Sequence, residues 1–413
     1  MADQRRRCAR TLLFTGKGGV GKTTTAAATA LELASRGHRV VVTSADPAHS
    51  LADAFGVDLG DEPTEVAPRC HGQQVNALER MESSWAEIRT WLMEVFNWAG
   101  LSAVEAEELA VFPGFEELVA LLEVDRLATC AEYDVVVVDC APTAESVRLL
   151  SLPDILDWYM RRLFPASRRL TRLVGPVLSR VSDVPVAPSE VFDTAERFHR
   201  QLARVRDLLT DPTATSVRMV VTPERMVLAE ARRTLTYLSL FGHHVDAVVV
   251  NRVLPGGHGD VFMDAWRAAQ AEQLVAIEEA FAPLPLLTAT HAPGEILGVE
   301  DLAAHGKAIW VDRDPLDDLS PGEHLRLEHR DGVAVLVMAL PHVCGDDVDL
   351  ADVGGHLAVA VGPYRRNLVL PDSLKGRGVE SARVQDGHLE VFFAPRSDGG
   401  RRRGRGDATL DAR

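Results

Sequence analysis

The sequence predicts two folded units: a doubly wound, mostly parallel α/β sheet with a helical subdomain, followed by a small all-β sandwich. Three observations carry that prediction. Over the first three hundred residues, short β-branched runs alternate with long helical patterns, as in successive βαβ units. The first run, 11–15, passes through a glycine-rich loop directly into an alanine-rich helical stretch. Beyond Gly322 the pattern changes to short apolar strands separated by turns. With 413 residues the chain can bury more than one core.

The loop is the most informative stretch. Gly16-Lys17-Gly18-Gly19-Val20-Gly21-Lys22-Thr23 fits G-x-x-x-x-G-K-[ST], followed by Thr24. Glycines let backbone N–H groups wrap a phosphate without Cβ clashes. Lys22 then reaches the β/γ-phosphates, Thr23 offers its hydroxyl to Mg²⁺, and the next helix points its positive end at the anion. The motif in its strand–loop–helix setting implies binding of ATP or GTP.

Bulk properties narrow the class. A net charge of −16 argues against a surface devoted to nucleic acid or anionic membrane. Five cysteines (Cys8, Cys70, Cys130, Cys140, Cys344) are widely spaced with no C-x-x-C, which indicates neither a disulfide framework nor a zinc site and fits a reducing cytoplasm. Arg5-Arg6-Arg7 precedes an apolar run, but Gly16 and Lys17 cut it short of a signal-peptide core. No segment has the length of a transmembrane helix.

In chain order, 23–36 reads as helix with Gly37 at its C′ position. Residues 39–43 (RVVVT) form a buried-type strand that leads to Asp46, a carboxylate at the ligand-binding end of such a sheet. Residues 81–124 read as helical, with Trp85, Trp91 and Trp98 either packing a subdomain core or lining an apolar groove. The strand 134–138 ends in Asp139, a Walker B arrangement in which the carboxylate holds Mg²⁺ through water. Two amphipathic stretches over 152–181 have arginine-rich polar faces, and their apolar stripe is either core or a client-binding groove. Strands 217–222 and 245–250 flank a helix over 224–240. The acidic, proline-bearing 312–322 reads as linker, and the strands 325–327, 334–340, 357–361, 368–370 and 389–393 build the sandwich.

These residues also carry a resemblance. GKGGVGKTT looks like the deviant Walker A loop of the MinD/ParA, nitrogenase iron protein and arsenite-pump (ArsA) ATPases, while SADPAHSLADAFG resembles switch I of the arsenite-pump and tail-anchored-protein targeting ATPases. Phe112-Pro113-Gly114-Phe115-Glu116-Glu117 is similar to a further stretch of that family. Asp139-Cys140-Ala141-Pro142-Thr143 and its continuation to Pro153 resemble switch II, with Cys140, Ala144 and Glu145 departing from the family's threonine, glycine and histidine. ARVQDGHLEVFFAP resembles the α-crystallin module of small heat-shock proteins, fused to some family members.

The resemblance implies domains at 10–307 (P-loop ATPase) and 323–395 (α-crystallin-like), with 1–9 an N-terminal extension, 308–322 a linker and 396–413 a disordered basic tail. It implies a Mg²⁺- and ATP-dependent, cytoplasmic homodimer. Catalysis falls to Lys17, reaching a partner's nucleotide, and to Asp46, positioning water. Gly16, Lys17, Gly18, Gly19, Val20, Gly21, Lys22, Thr23 and Thr24 bind phosphate, Asn251 contacts adenine, and Thr23 and Asp139 serve the metal. Three roles follow: a chaperone or targeting factor for hydrophobic or tail-anchored membrane-protein clients, with a possible membrane partner; the energising subunit of an arsenite efflux system; or a MinD/ParA-like positioning ATPase. Nucleic acid is not an expected partner. The zinc-bridging C-x-x-C of some targeting members is absent.

Overall fold

The computed structural model describes residues 8–44, 50–75, 115–141, 147, 150–151, 189–257, 260–320, 322, 324–330, 333–352 and 356–394. The central strand is β1 (Arg10–Thr15), paired in parallel with β5 (Val135–Asp139) on one side and β6 (Thr215–Val221) on the other. The eight-stranded order is completed by β2 (Val40–Ser44), β4 (Cys70–Gln74) and β3 (Thr64–Ala67) beyond β5, and by β7 (Val245–Val253) and β8 (Leu286–Thr290) beyond β6. Only β3 runs antiparallel, against β4. β2 and β5 are nearly continuous valine because both faces of the sheet are covered there, and Val40, Val41, Val42, Val135, Val136 and Val137 are fully buried.

Register fixes the site. Ser44 lies opposite Asp139, and Asp139 opposite Phe14, so β2, β5 and β1 end together on one edge of the sheet. α1 (Lys22–Ser35) leaves from that edge, and its alanines 26, 27, 28 and 30 are fully buried. α7 (Gly298–Ile309) crosses α1 so closely that a Cβ on Gly306 would lie 2.2 Å from the Ala28 carbonyl oxygen. The remaining described helices are α2 (Ser50–Phe55), α3 (Phe115–Thr129), α4 (Ser189–Thr210), α5 (Arg225–Phe241) and α6 (Val261–Phe281). The tryptophans at 85–98, the stripe over 152–181 and the tail from 396 lie outside the described residues.

The stretch 312–322, which composition marks as linker, is tied to the α/β layer through Pro315, Leu316 and Leu319, just after Trp310. Trp310 is fully buried, donates its indole N–H to Thr29 Oγ1 at 3.0 Å and lies under the Arg218 guanidinium at 4.7 Å. Arg218, itself fully buried and paired with Asp246 at 3.3 Å, donates to the Pro315 carbonyl at 2.6 Å. Buried cation, aromatic ring and backbone acceptor together hold down a stretch that composition alone marks as a spacer.

The sandwich comprises β9 (Leu325–Arg330), β10 (Val333–Ala339), β14 (Val379–Gln385) and β15 (His388–Phe393) in the order β14-β15-β10-β9, facing β11 (Val348–Asp352), β12 (His356–Val361) and β13 (Tyr364–Val369). All its pairings are antiparallel. Ala334, Leu336, Met338, Leu357, Val359 and Val391 form its interior, which also takes in Leu240 and Phe241 from the end of α5. Thr236 Oγ1 donates to the Pro341 carbonyl at 2.6 Å, Arg366 donates to the Leu240 carbonyl at 2.8 Å, and the Tyr237 and Tyr364 rings pack 4.5 Å apart. The two layers therefore share α5.

Two histidines near this junction give a pH dependence. His243 sits between the Leu150 and Leu209 carbonyls, and burial, outweighing them, pushes it down to about 4. His324, 3.0 Å from His244, is pushed down to about 4 by burial and by that neighbouring ring. Both are neutral when folded and bind protons on unfolding below the ordinary 6.5. Stability that is full above that value is therefore expected to fall as pH drops through about 4, seen as a declining melting temperature across that window. A flat profile would contradict the assignment of both rings as buried and neutral.

Candidate functional site

The loop between β1 and α1 takes its shape from its glycines. A Cβ on Gly16 would lie 2.2 Å from the Val220 carbonyl oxygen, so only glycine lets the loop pass the end of β6. Gly21 has φ +92° and would drive a Cβ to 2.3 Å from Asn251 Nδ2. Gly18 and Gly19 are exposed, Val20 is buried, and α1 begins with no side-chain cap and no acidic residue in its first turn. Its leading N–H groups thus remain available to an anion.

Lys22 is buried, with Nζ 3.4 Å from the Lys17 carbonyl oxygen. Thr23 Oγ1 donates to Asp139 Oδ2 at 2.7 Å and lies 3.1 Å from Ser50 Oγ. Ser44 Oγ stands 3.5 Å from the same carboxylate oxygen, and Asp139 is fully buried. Two residues 116 positions apart are thus joined at the base of the loop, and all the converging donors are oxygen. Such a set suits a hard cation that keeps several of its waters. Among the described residues no group of three or more His, Cys, Asp or Glu side chains could enclose a metal.

Two partners were not legible in the sequence. Asn251 Nδ2 donates to the Val20 carbonyl at 2.8 Å and its Oδ1 accepts from the Arg252 N–H at 2.8 Å, so this amide braces the loop from β7. Lys17 Nζ lies 3.8 Å from Glu230 Oε2 on α5. Both contacts span more than two hundred residues, and no local pattern signals them. Thr24 is half-buried in the first turn of α1. Asp46 lies outside the described residues, two positions beyond Ser44, as do most switch II residues after Ala141.

Cys140, next to Asp139, and Cys70, at the opposite end of the sheet, are both buried thiols. Burial pushes Cys140 up to about 12, with the Asp139 charge adding to it, and burial alone pushes Cys70 to about 12. Both are protonated at neutral pH. Among the described residues no helix is long and apolar enough to cross a membrane.

The family model described as "Anion-transporting ATPase" matches residues 9–310, and one described as "HSP20-like domain found in ArsA" matches residues 331–393. A protein of Prosthecochloris vibrioformis named as an arsenical pump-driving ATPase is 36% identical over 387 residues, covering 93% of this chain and 96% of that one. A protein similarly named in Aquifex aeolicus is 34% identical, over 93% of this chain and all of its own. "ATPase GET3B" of Arabidopsis thaliana is 30% identical over 71% of this chain and 77% of that one.

Proposed function

The chain belongs to the ArsA family of anion-transporting ATPases, and from that premise we propose that it works as a magnesium-dependent homodimer whose ATP cycle gates a hydrophobic surface for membrane-protein or other hydrophobic clients. The observation that carries the reading is the shared helix: α5 bears the carboxylate paired with Lys17 and also the end buried in the sandwich core. A change at the nucleotide edge therefore has a rigid route to the HSP20-like layer.

Each residue has a task in this cycle. The loop N–H groups and Lys22 grip the β/γ-phosphates, Thr23 and Asp139 hold magnesium, and Asp46 orients the attacking water. Bound magnesium supplies charge neutralisation on the phosphate oxygens. Lys17 enters the partner's site and places positive charge where the transition state spreads negative charge. Asn251 keeps the loop in the shape that receives phosphate, beside its expected contact with the base. Loss of the γ-phosphate releases the switch segments and with them the client surface.

A second reading, the driving subunit of an arsenite efflux system, draws on the names of two relatives that match along nearly their whole length. It requires thiols that converge on a metalloid, whereas among the described residues no three His, Cys, Asp or Glu side chains come together to hold a metal and Cys70 and Cys140 are buried. Sedimentation with an ATP analogue, in the presence of a transmembrane peptide or of arsenite, separates the two. Analogue-dependent dimers that carry the peptide are expected. Arsenite-stimulated turnover without peptide capture would favour the second reading instead.

A further inference from the structure

In the single chain the ammonium of Lys17 is engaged with Glu230 of the same chain, at 3.8 Å, with the two side chains 33% and 30% exposed. Glu230 sits in the second turn of α5, and both ends of that helix are fixed. At its start, Thr222 Oγ1 donates to Glu224 Oε1 at 3.0 Å, just beyond the β6 end that Gly16 abuts. At its finish, Leu240 and Phe241 are buried in the sandwich, and the Leu240 carbonyl accepts from Arg366. A carboxylate on so constrained a helix holds Lys17 at a defined place beside its own loop.

We propose that Glu230 is a positioning residue that keeps Lys17 on its own subunit until a second, nucleotide-loaded copy offers a stronger anion. The inference rests on the trans role of Lys17 stated above. The physical argument is a competition for one point charge: a partly exposed carboxylate against a nucleotide carrying several phosphate oxygens. The carboxylate wins when the chain is alone and loses when two loaded sites meet. Because Glu230 is on the helix that carries the sandwich, movement of the sandwich alters how firmly Lys17 is held.

The magnitude follows from pairs of this exposure, which bias their partners by about two- to fivefold. A symmetric dimer breaks two of them, so neutralising Glu230 is expected to lower the protein concentration at half-dimerisation by about four- to twenty-five-fold. The test is sedimentation with an ATP analogue, together with turnover as a function of protein concentration, for the wild type, Glu230→Gln, Glu230→Asp, Lys17→Ala and the Lys17→Ala/Glu230→Gln double variant. Expected are a lowered midpoint for Glu230→Gln that shrinks in high salt, a midpoint near wild type for Glu230→Asp, and no further effect of Glu230→Gln once Lys17 is gone. An unmoved midpoint in Glu230→Gln, or the same shift in the Lys17→Ala background, overturns the inference while leaving the dimer mechanism standing. A Lys17→Ala chain that assembles and turns over like wild type overturns the trans role, and this inference with it.

Discussion

A chain carrying Asp139→Asn is expected to fold normally and lose ATP turnover by about a thousandfold or more. The substitution keeps the shape of a fully buried side chain and leaves an oxygen to accept from Thr23 Oγ1, which now bonds the carboxylate at 2.7 Å. What it removes is the negative charge. A correctly held metal contributes several kcal/mol of transition-state stabilisation, and each ~1.4 kcal/mol is tenfold in rate. Stability should move the other way or not at all, because a buried carboxylate costs more than its neutral isostere. Phosphate release and a thermal melt on the same sample check both halves. Turnover within tenfold of wild type would remove Asp139 from the metal site.

The second large effect is on stability. Gly306→Val is expected to cost about 3 kcal/mol or more, because its Cβ would lie 2.2 Å from the Ala28 carbonyl oxygen and 2.8 Å from the carbonyl carbon, both backbone atoms of α1. Neither helix can retreat: α1 lies on the sheet through fully buried alanines, and α7 is pinned where Trp310 donates to Thr29. At roughly 1.5 °C per kcal/mol for a unit of about 300 residues, the melting temperature should fall by about 5 °C. Nucleotide affinity should fall with it, since α1 starts at the phosphate loop. Gly60→Ala, where nothing lies within 4 Å of the added Cβ, is the control expected to melt with wild type. A Gly306→Val chain that melts with it would mean the helices part easily.

The sequence revealed those parts of the molecule where one local pattern determines the outcome. Strands β2, β5, β6 and β7 are rich in β-branched residues and β1 carries Leu12, Leu13 and Phe14, all largely buried, and the loop glycines announce themselves by spacing. The hairpin of β3 and β4 is not legible because TEVA is a four-residue, largely exposed edge strand and CHGQQ has no β-branched residue; β4 is held by pairing with β2 and by Gln73 bonding to Glu123, and β3 by pairing with β4. α6 escaped notice for a related reason: only its C-terminal end, at Ile277, Ala280 and Phe281, is buried, so it shows no apolar stripe. In β14 the single buried residue is Ala382, which leaves no alternation to read. Within the site, Thr23, Lys22 and Asp139 followed from motif order. The brace from Asn251 to Val20 and the pair of Lys17 with Glu230 did not, because each depends on how distant strands and helices are stacked.

In the proposed mechanism Lys17 acts on the nucleotide of the other subunit. Mixing two variants tests it most directly: Lys17→Ala, which retains Asp46, and Asp46→Asn, which retains Lys17. Each alone is expected to bind ATP and hydrolyse it at a small fraction of the wild-type rate. In a mixed dimer one site combines an intact Asp46 with a Lys17 from the neighbour, so an equimolar mixture should recover about a quarter of wild-type turnover, half the dimers being mixed with one competent site each. A mixture no faster than its separate components would contradict action across the dimer.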